Sequence, residues 1–403
     1  MMRGLLSRRF RARPGGARQH APRRVASAMT PGFRVGQFMA AVFAVTAAGA
    51  FMPLWFADRG LSAAAIGQVL GLASLFRVLC GPGWGTMADR IGRRRPVMTT
   101  AALAAMTLSL IYLPLHGFTP ILLVAAFQGV AASALGPLAD SLALALAREG
   151  KMDYGPVRAA GSISYMVMTA AAGQGLALLG ATLVPWIQAL GYGLAAGFAR
   201  LLPEAVTPPA APRLLGGWEL FRLKPFRLTV ACTALIQGSH AAYYGFAALF
   251  WRRQGIGDDV IGLLFAEGII AEIALFLRGR RLVERLGPSG LTACASAAAV
   301  VRWTGTALAP PLPVLALLQL LHAATFAMQH LAAMMLLSRT VPPERAATAQ
   351  ALHSALGQGV PNGLMMLLTG FLYARTGGYA FVAMAVCAGL ALTLVAPLRR
   401  VGR

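Results

Sequence analysis

Gly85-Thr86-Met87-Ala88-Asp89-Arg90-Ile91-Gly92-Arg93-Arg94-Arg95-Pro96 closes one long apolar stretch and opens the next. A worn copy stands 195 residues downstream, where Glu284-Arg285-Leu286-Gly287 superposes on Asp89-Arg90-Ile91-Gly92. The same offset aligns Gly60 with Gly255, Ile66 with Ile261 and Gly67 with Gly262. Arg280 stands at the position of Gly85, so the copies have diverged. An acid–base–x–Gly turn that ends an apolar helix once per half chain implies a duplicated membrane protein. Gly92 permits the tight turn, because glycine alone takes such backbone angles without a Cβ clash.

Composition agrees. The 403 residues are 57% hydrophobic and 12% charged, with a mean hydropathy of +0.65. Soluble domains carry about twice that charge. Apolar runs of about twenty residues recur throughout, each long enough to cross a bilayer core of ~30 Å. A soluble multidomain chain is thereby excluded. The net charge of +23 would suit nucleic acid as a partner, but its distribution argues against that. Of 36 Lys and Arg, only Arg59, Arg252, Arg253 and Arg375 fall in loops on one side, and Arg77 and Arg302 lie within helices. The rest sit in the termini and in alternate loops on the other side. That bias turns both termini toward the cytoplasm and makes anionic lipid headgroups the expected partners of the charge. Cys80, Cys232, Cys294 and Cys387 all lie in apolar spans, and no Cys/His spacing matches a zinc site.

Residues 1–28 hold eight Arg and no apolar run. They read as a basic disordered tail (1–30), or as sequence upstream of a true start at Met29. Ser7-Arg8-Arg9 hints at a twin-arginine signal, but no apolar segment with a cleavage site follows. Twelve spans follow, at about 33–56, 63–87, 96–115, 119–146, 156–179, 181–200, 227–250, 259–278, 289–309, 312–338, 346–371 and 377–397. The longest internal loop, 201–226, is polar, rich in proline and placed at the midpoint. The organisation is therefore two six-helix halves, 31–200 and 227–398, a linker between them and a basic tail at 399–403. Transporters built from parallel halves bind their solute midway between them.

Small residues crowd the fifth and eleventh spans, at Gly161, Ser162, Ser164, Gly173, Gly175, Gly357, Gly359 and Gly363. They allow close helix approach. Pro361 breaks or kinks its helix, and the backbone groups it frees must be lodged in protein or cavity.

The turn, the twelve spans and the midpoint linker resemble the major facilitator superfamily. There the loop between helices two and three carries Gly-x-x-x-Asp-Arg-x-Gly-Arg-[Arg/Lys], matched here by Gly85, Asp89, Arg90, Gly92 and Arg93. The resemblance implies an all-α membrane protein with two pseudo-symmetric halves. It makes those five residues a gate, with the Asp89 carboxylate held by a neighbouring helix N-terminus and nearby Arg when the inner side closes. A narrower resemblance covers nearly the whole chain. Tyr154-Gly155-Pro156-Val157-Arg158-Ala159-Ala160-Gly161-Ser162 is similar to the opening of helix five in nucleoside and phenylpropionate proton symporters. Ser239-His240-Ala241-Ala242-Tyr243-Tyr244, Ala266-Glu267-Gly268 through Glu272, Arg302-Trp303, Gln319 through His330, Ala349-Gln350-Ala351 and Gly357-x-Gly359 resemble the phenylpropionate branch.

Ionisable groups within spans cost about 2.5–3.5 kcal/mol on insertion scales and so mark partners or water-filled cavities. Arg77 lies about 18 Å along the helix from Asp89, near the midplane. The 195-residue offset maps it onto Glu272. Two roles fit Arg77: an ion pair with Asp140 or Glu272, or a bidentate grip on a substrate carboxylate. Asp140 and Arg158 match a carboxylate and an Arg that sugar symporters place on helices four and five. Glu267 and Glu272 are about 140° apart around their helix, and Glu272 is the better partner for Arg302. Less compensated, Glu267 would exchange protons near neutral pH. Gln319, His322, Phe326 and Gln329, with His330 at the edge, form one polar stripe; Gln237, His240 and Tyr244 form another. Both suggest faces that line a cavity. Sugar–proton symporters use a Glu on helix eight, an Arg on nine and a His followed by a Glu on ten. Glu272 or Glu267, Arg302 and His322 fit, but Thr325 stands where the second Glu would be. Tyr243, Tyr244, Trp303 and Phe326 are placed to bracket an aromatic ring.

These readings converge on a proton-coupled importer of a small organic solute, an aromatic carboxylate such as 3-phenylpropionate favoured, working as a monomer in a bacterial inner membrane. Substrate contacts are expected from Arg77, Asp140, His240, Tyr244, Trp303, Phe326 and Gln329. Coupling is expected from Glu267, Glu272, Arg302 and His322. Driving force comes from the proton gradient, with no cofactor, and no phosphate-binding loop for ATP is present in the sequence. Nucleosides or sugars are the alternative solutes and drug-type efflux the alternative direction. An intramembrane enzyme built on the His and Glu residues, or a sensor without transport, are the rivals from other classes.

Overall fold

The computed structural model describes residues 29–204 and 214–401. The segment 1–28, with Ser7-Arg8-Arg9, most of the proline-rich linker and the last two residues of the C-terminal tail lie outside the described residues. The rest forms twelve rods: α1 (31–58), α2 (Ala63–Ile91), α3 (Arg94–Ile111), α4 (118–148), α5 (Tyr154–Leu179), α6 (Leu183–Ala199), α7 (224–253), α8 (Asp258–Arg278), α9 (Arg280–Ala307), α10 (312–340), α11 (346–376) and α12 (380–401). No strand occurs among the described residues. Seven helical segments suffice by length and hydropathy alone to cross a membrane.

Local chemistry sets the ends. Thr30 Oγ1 accepts from Phe33 N at 3.3 Å with Pro31 in the first turn, and Ser62 Oγ accepts from Ala65 N at 3.3 Å. The duplication shows in the backbone. Gly60 and Gly255 have φ of 82° and 81°, and Gly92 and Gly287 have 67° and 61°. All four lie in the left-handed region, at positions the offset of 195 residues pairs. The sequence placed the start of α9 after this turn, at 289. A short helical stretch from Arg280 leads into this turn, and Gly287 (φ 61°, ψ 178°) breaks it from the span that begins at Pro288, next to the expected start. Two differences concern the linker. A 3-10 helix, Leu214–Arg222, lies inside it, and α7 begins at Lys224 rather than 227. In α11 a π-helical turn, His353–Gly359, immediately precedes Pro361. A widened turn there spares the helix the hydrogen bond that proline cannot make.

The two halves touch from the end away from the linker to about mid-span, where Gly359 of α11 meets Val78 of α2. A single apolar core joins them at the end away from the linker, where Phe51, Trp55 and Ile66 pack in one cluster with Tyr243, Phe246, Phe265 and Tyr373. Toward the linker the core splits into a cluster confined to the first half and three confined to the second. Two glycine crossings seal the closed end. A Cβ on Gly67 of α2 would stand 2.5 Å from Gly370 Cα of α11. A Cβ on Gly173 of α5 would stand 2.8 Å from Gly262 Cα of α8. Gly67 and Gly262 are the offset pair, so the crossings are symmetry-equivalent. Above them Arg252 of α7 grips Asp258 of its own half bidentately, at 2.9 and 2.6 Å, and reaches Asp58 of the other half at 3.3 Å. The molecule is thus closed at this end and open at the linker end.

Candidate functional site

The second half holds a polar network at mid-span depth. Arg302 of α9 is wholly buried, yet has partners on most sides. Its Nη2 donates to Gln319 Oε1 at 2.8 Å, and its Nη1 reaches His322 Nδ1 at 3.0 Å and Thr325 Oγ1 at 3.2 Å. The guanidinium lies over the rings of Tyr243 and Trp303, at 4.4 and 4.6 Å. Guanidinium only donates, so His322 Nδ1 must accept. That fixes His322 as neutral with its proton on Nε2, aimed at Glu272 Oε2 3.6 Å away. His240 resolves in the same way. Its Nδ1 donates to the Ile236 carbonyl at 3.0 Å, which leaves Nε2 to accept from Thr325 Oγ1 at 3.1 Å. Trp303 Nε1 donates to Ser239 Oγ at 2.9 Å. A continuous relay therefore runs from Glu272 through His322, Arg302 and Thr325 to His240.

Two expectations change here. Glu272 does not pair with Arg302; His322 stands between them. The two polar stripes do not line the cavity. His240, Gln237, Trp303, Gln319, His322 and Gln329 are all buried, facing one another inside the half. Helical periodicity shows that polar residues share a face, but not whether that face meets water or a neighbouring helix. Sealed residues meet no solute in this conformation, so His240, Trp303 and Gln329 support the wall rather than form it. Tyr244, Phe326 and Glu272 keep some exposure and form its surface. Glu267 does not join Glu272 there: it lies about 140° round α8, on the side of the exposed Leu263 and Ile270. Glu267 has no hydrogen bond or ion pair among the described residues. The π-helical turn Ala323–Met328 carries the wall residue Phe326 and frees its carbonyl, which Gln237 Nε2 caps at 3.3 Å.

Thr325 was read only as a missing acid. It is the hub that Arg302 and His240 share. A further buried group escaped the sequence reading: Thr233 Oγ1 joins Gln329 Nε2 at 3.1 Å and His353 Nε2 at 3.0 Å. No periodic signal marks either position, since a lone Thr or His on an apolar helix looks like packing.

The first half supplies the facing wall. Leu79 is strongly exposed on one side of α2. Two residues back along a helix is about 200° of rotation, so Arg77 lies on the opposite side, toward α4. Its Cβ packs over Gly129 of α4, and the side chain is exposed, without a hydrogen bond or ion pair among the described residues. Neither Asp140 nor Glu272 pairs with it. Asp140 lies nearer the linker end, where it accepts from Tyr154 Oη at 3.2 Å. Arg158 stacks on Phe43 at 4.5 Å and donates to Ser162 Oγ at 3.3 Å. Arg158 is the cation of the opposite half whose field reaches Glu272.

The Gly85–Pro96 turn lies free at the open end. Gly92 has the expected left-handed backbone and caps α2. Asp89 and Arg90 are exposed, and among the described residues the Asp89 carboxylate makes none of the bonds expected of a closed latch. A Cβ on Gly85 would touch nothing, so no helix packs on it in this state. Arg93 instead grips Glu204 just after α6, through Nε at 2.9 Å and Nη2 at 2.5 Å. That grip holds the Glu204 carboxyl below the usual carboxylate range.

Comparison with known proteins agrees with this architecture. The model of the MFS_1 like family matches residues 38–383. The chain is 30% identical over 352 residues to the probable 3-phenylpropionic acid transporter of Escherichia coli (strain K12), covering 84% of this chain and 91% of that one. It is 27% identical over 321 residues to the maltose permease of Geobacillus stearothermophilus, covering 79% and 81%. Among solved structures, the nucleoside transporter NupG superposes with a TM-score of 0.75 at 17% identity, covering 93% of this chain and 99% of its own. The D-xylose–proton symporter gives 0.68 at 16%, covering 91% and 96%. The chain belongs to the MFS_1 like family, and is a membrane transporter of the major facilitator superfamily rather than an enzyme.

Proposed function

We propose that the chain imports a small aromatic carboxylate together with protons, by alternating access. The observation that carries this reading is the pair of ionisable groups that the 195-residue repeat puts at equivalent positions in the two halves. Arg77 has no hydrogen bond or ion pair among the described residues, while Glu272 heads a relay of neutral histidines in the second half. A carboxylate satisfies Arg77 with two charge-assisted hydrogen bonds. The ring then lies toward Tyr244 and Phe326, where aromatic faces pack well. Glu272, 18% exposed at its side chain, is the member of the relay within reach of cavity water. Its protonation removes the pull on His322 Nε2–H and with it the field that Arg158 feels across the cavity. The halves are then free to rock about the glycine crossings, with the Asp89 turn closing as the inner latch. The excess of Lys and Arg at the linker end supports a cytoplasmic orientation of that end, and of the opening, in a bacterial inner membrane. The similarity to the phenylpropionic acid transporter supports the solute class, and the xylose–proton symporter fold is compatible with the coupling.

The maltose permease relative favours a sugar as the second reading. Purified protein in liposomes with an inside-alkaline gradient separates the two. Labelled 3-phenylpropionate should accumulate and be displaced by other aryl carboxylates, while maltose and uridine should not compete. Accumulation of sugar or nucleoside without the carboxylate would overturn the proposal. Extrusion of the carboxylate from vesicles of the opposite polarity, with no uptake, would replace import by efflux.

A further inference from the structure

We propose that residues 217–227, the visible end of the linker, form a membrane-surface foot that takes the headgroups of anionic phospholipids. The segment is two-sided. Leu220 and Phe226 are buried in a cluster with Val230, Leu337, Val341, Ala349 and Leu352, which seats the foot on the linker-end tips of α10 and α11. Glu219, the segment's acid, is neutralised by Arg345 at 2.6 Å. The opposite side is uncovered among the described residues. Trp218 is 65% exposed, with its ring 5.4 Å from that of Phe221, and Arg222, Lys224 and Arg227 are exposed beside it.

Position and chemistry name the occupant. The foot lies level with the start of α7 and the ends of α10 and α11, which is the headgroup depth of a spanning bundle. An exposed indole at that depth rests in the interface, its ring among acyl carbons and its N–H among headgroups. Three cations around it, none with a hydrogen bond or ion pair among the described residues, attract negative headgroups at short range. The foot therefore does more than add to a diffuse positive field, because it offers an apolar anchor and a cation cluster on one rigid patch. It does not depend on which solute the cavity carries.

The test uses the whole protein in phosphatidylcholine nanodiscs with a minor fraction of acyl-brominated lipid, which quenches nearby indole fluorescence. The signal of Trp218 is the parent minus a Trp218→Phe variant, which keeps the aromatic contact to Phe221. Brominated phosphatidylglycerol should quench that signal more than twice as strongly as brominated phosphatidylcholine at the same fraction. A variant carrying Arg222→Gln, Lys224→Gln and Arg227→Gln should equalise the two lipids. Raising salt on the unaltered protein should narrow the difference as well, which keeps the test valid if the triple variant folds poorly. Equal quenching by both lipids, no quenching by either, or a difference indifferent to salt would each overturn the proposal.

Discussion

At the residue scale, the molecule separates a cation that awaits a partner from one that has several. Arg77 has no hydrogen bond or ion pair among the described residues, so under the proposed function its replacement costs binding and not folding. Arg77→Gln should weaken carboxylate binding about 10- to 100-fold, the worth of hydrogen bonds to charged groups, while the melting temperature without ligand stays put. Arg77→Lys should restore part of it, since a point charge lacks the bidentate fork; isothermal titration reads both. Arg302 is the opposite case. Thr325→Val strips an acceptor from Arg302 and a donor from His240, both fully buried, and should cost roughly 1–3 kcal/mol in a thermal or denaturant measurement. The two cations were equally visible in the sequence. Their difference was not, because burial depends on neighbours from other helices. Thr325 was misread for the same reason: a hydroxyl that serves two partners looks in sequence like the loss of an acid.

At the element scale, helix ends and crossings divide the labour. The turn at Gly92 and its counterpart at Gly287 were legible, since a positive φ leaves glycine as the tolerant residue and the offset repeats it. Gly92→Ala should destabilise the first half by about 1–2 kcal/mol, the cost of a side chain in the left-handed region. The small residues of α5 and α11 were legible as packing, but not as the seal of one end. Gly67→Ala or Gly173→Ala should part the α2–α11 or α5–α8 crossing and raise water access at the end away from the linker. Alkylation of a cysteine introduced beside Tyr244, by an impermeant reagent applied from that side, measures it. Arg252→Gln should act in the same direction, since it releases Asp58. The pair that ties the α2–α3 turn to the linker carries its own pH dependence. Glu204 has its carboxyl held down by Arg93, so the pairing is fully present above the ordinary glutamate range. It is lost as pH falls below that range, through the depressed value. Acidifying from neutral pH should lower the melting temperature of the unaltered protein slightly more than that of Glu204→Gln, an exposed pair being worth little.

At the scale of the whole molecule, the duplicated halves have specialised. One wall carries the exposed Arg77; the equivalent position in the other carries Glu272, and behind it lies a histidine relay that the first half lacks at the matching depth. Twelve spans, two halves and the side of the charge bias followed from hydropathy and counting, because a bilayer forces every backbone group into a helix. The open conformation did not, since it rests on which helix pairs touch at each end. The coupling residue is where sequence and structure must be joined. Glu272 is opposite Arg77 by the repeat, and it meets the relay at His322 by geometry. The most direct measurement is uptake of labelled aryl carboxylate into liposomes by the Glu272→Gln variant, compared with exchange of the same solute across the membrane without a gradient. Proton coupling through Glu272 predicts that exchange persists while accumulation driven by the pH gradient disappears. Full gradient-driven accumulation in Glu272→Gln would contradict it.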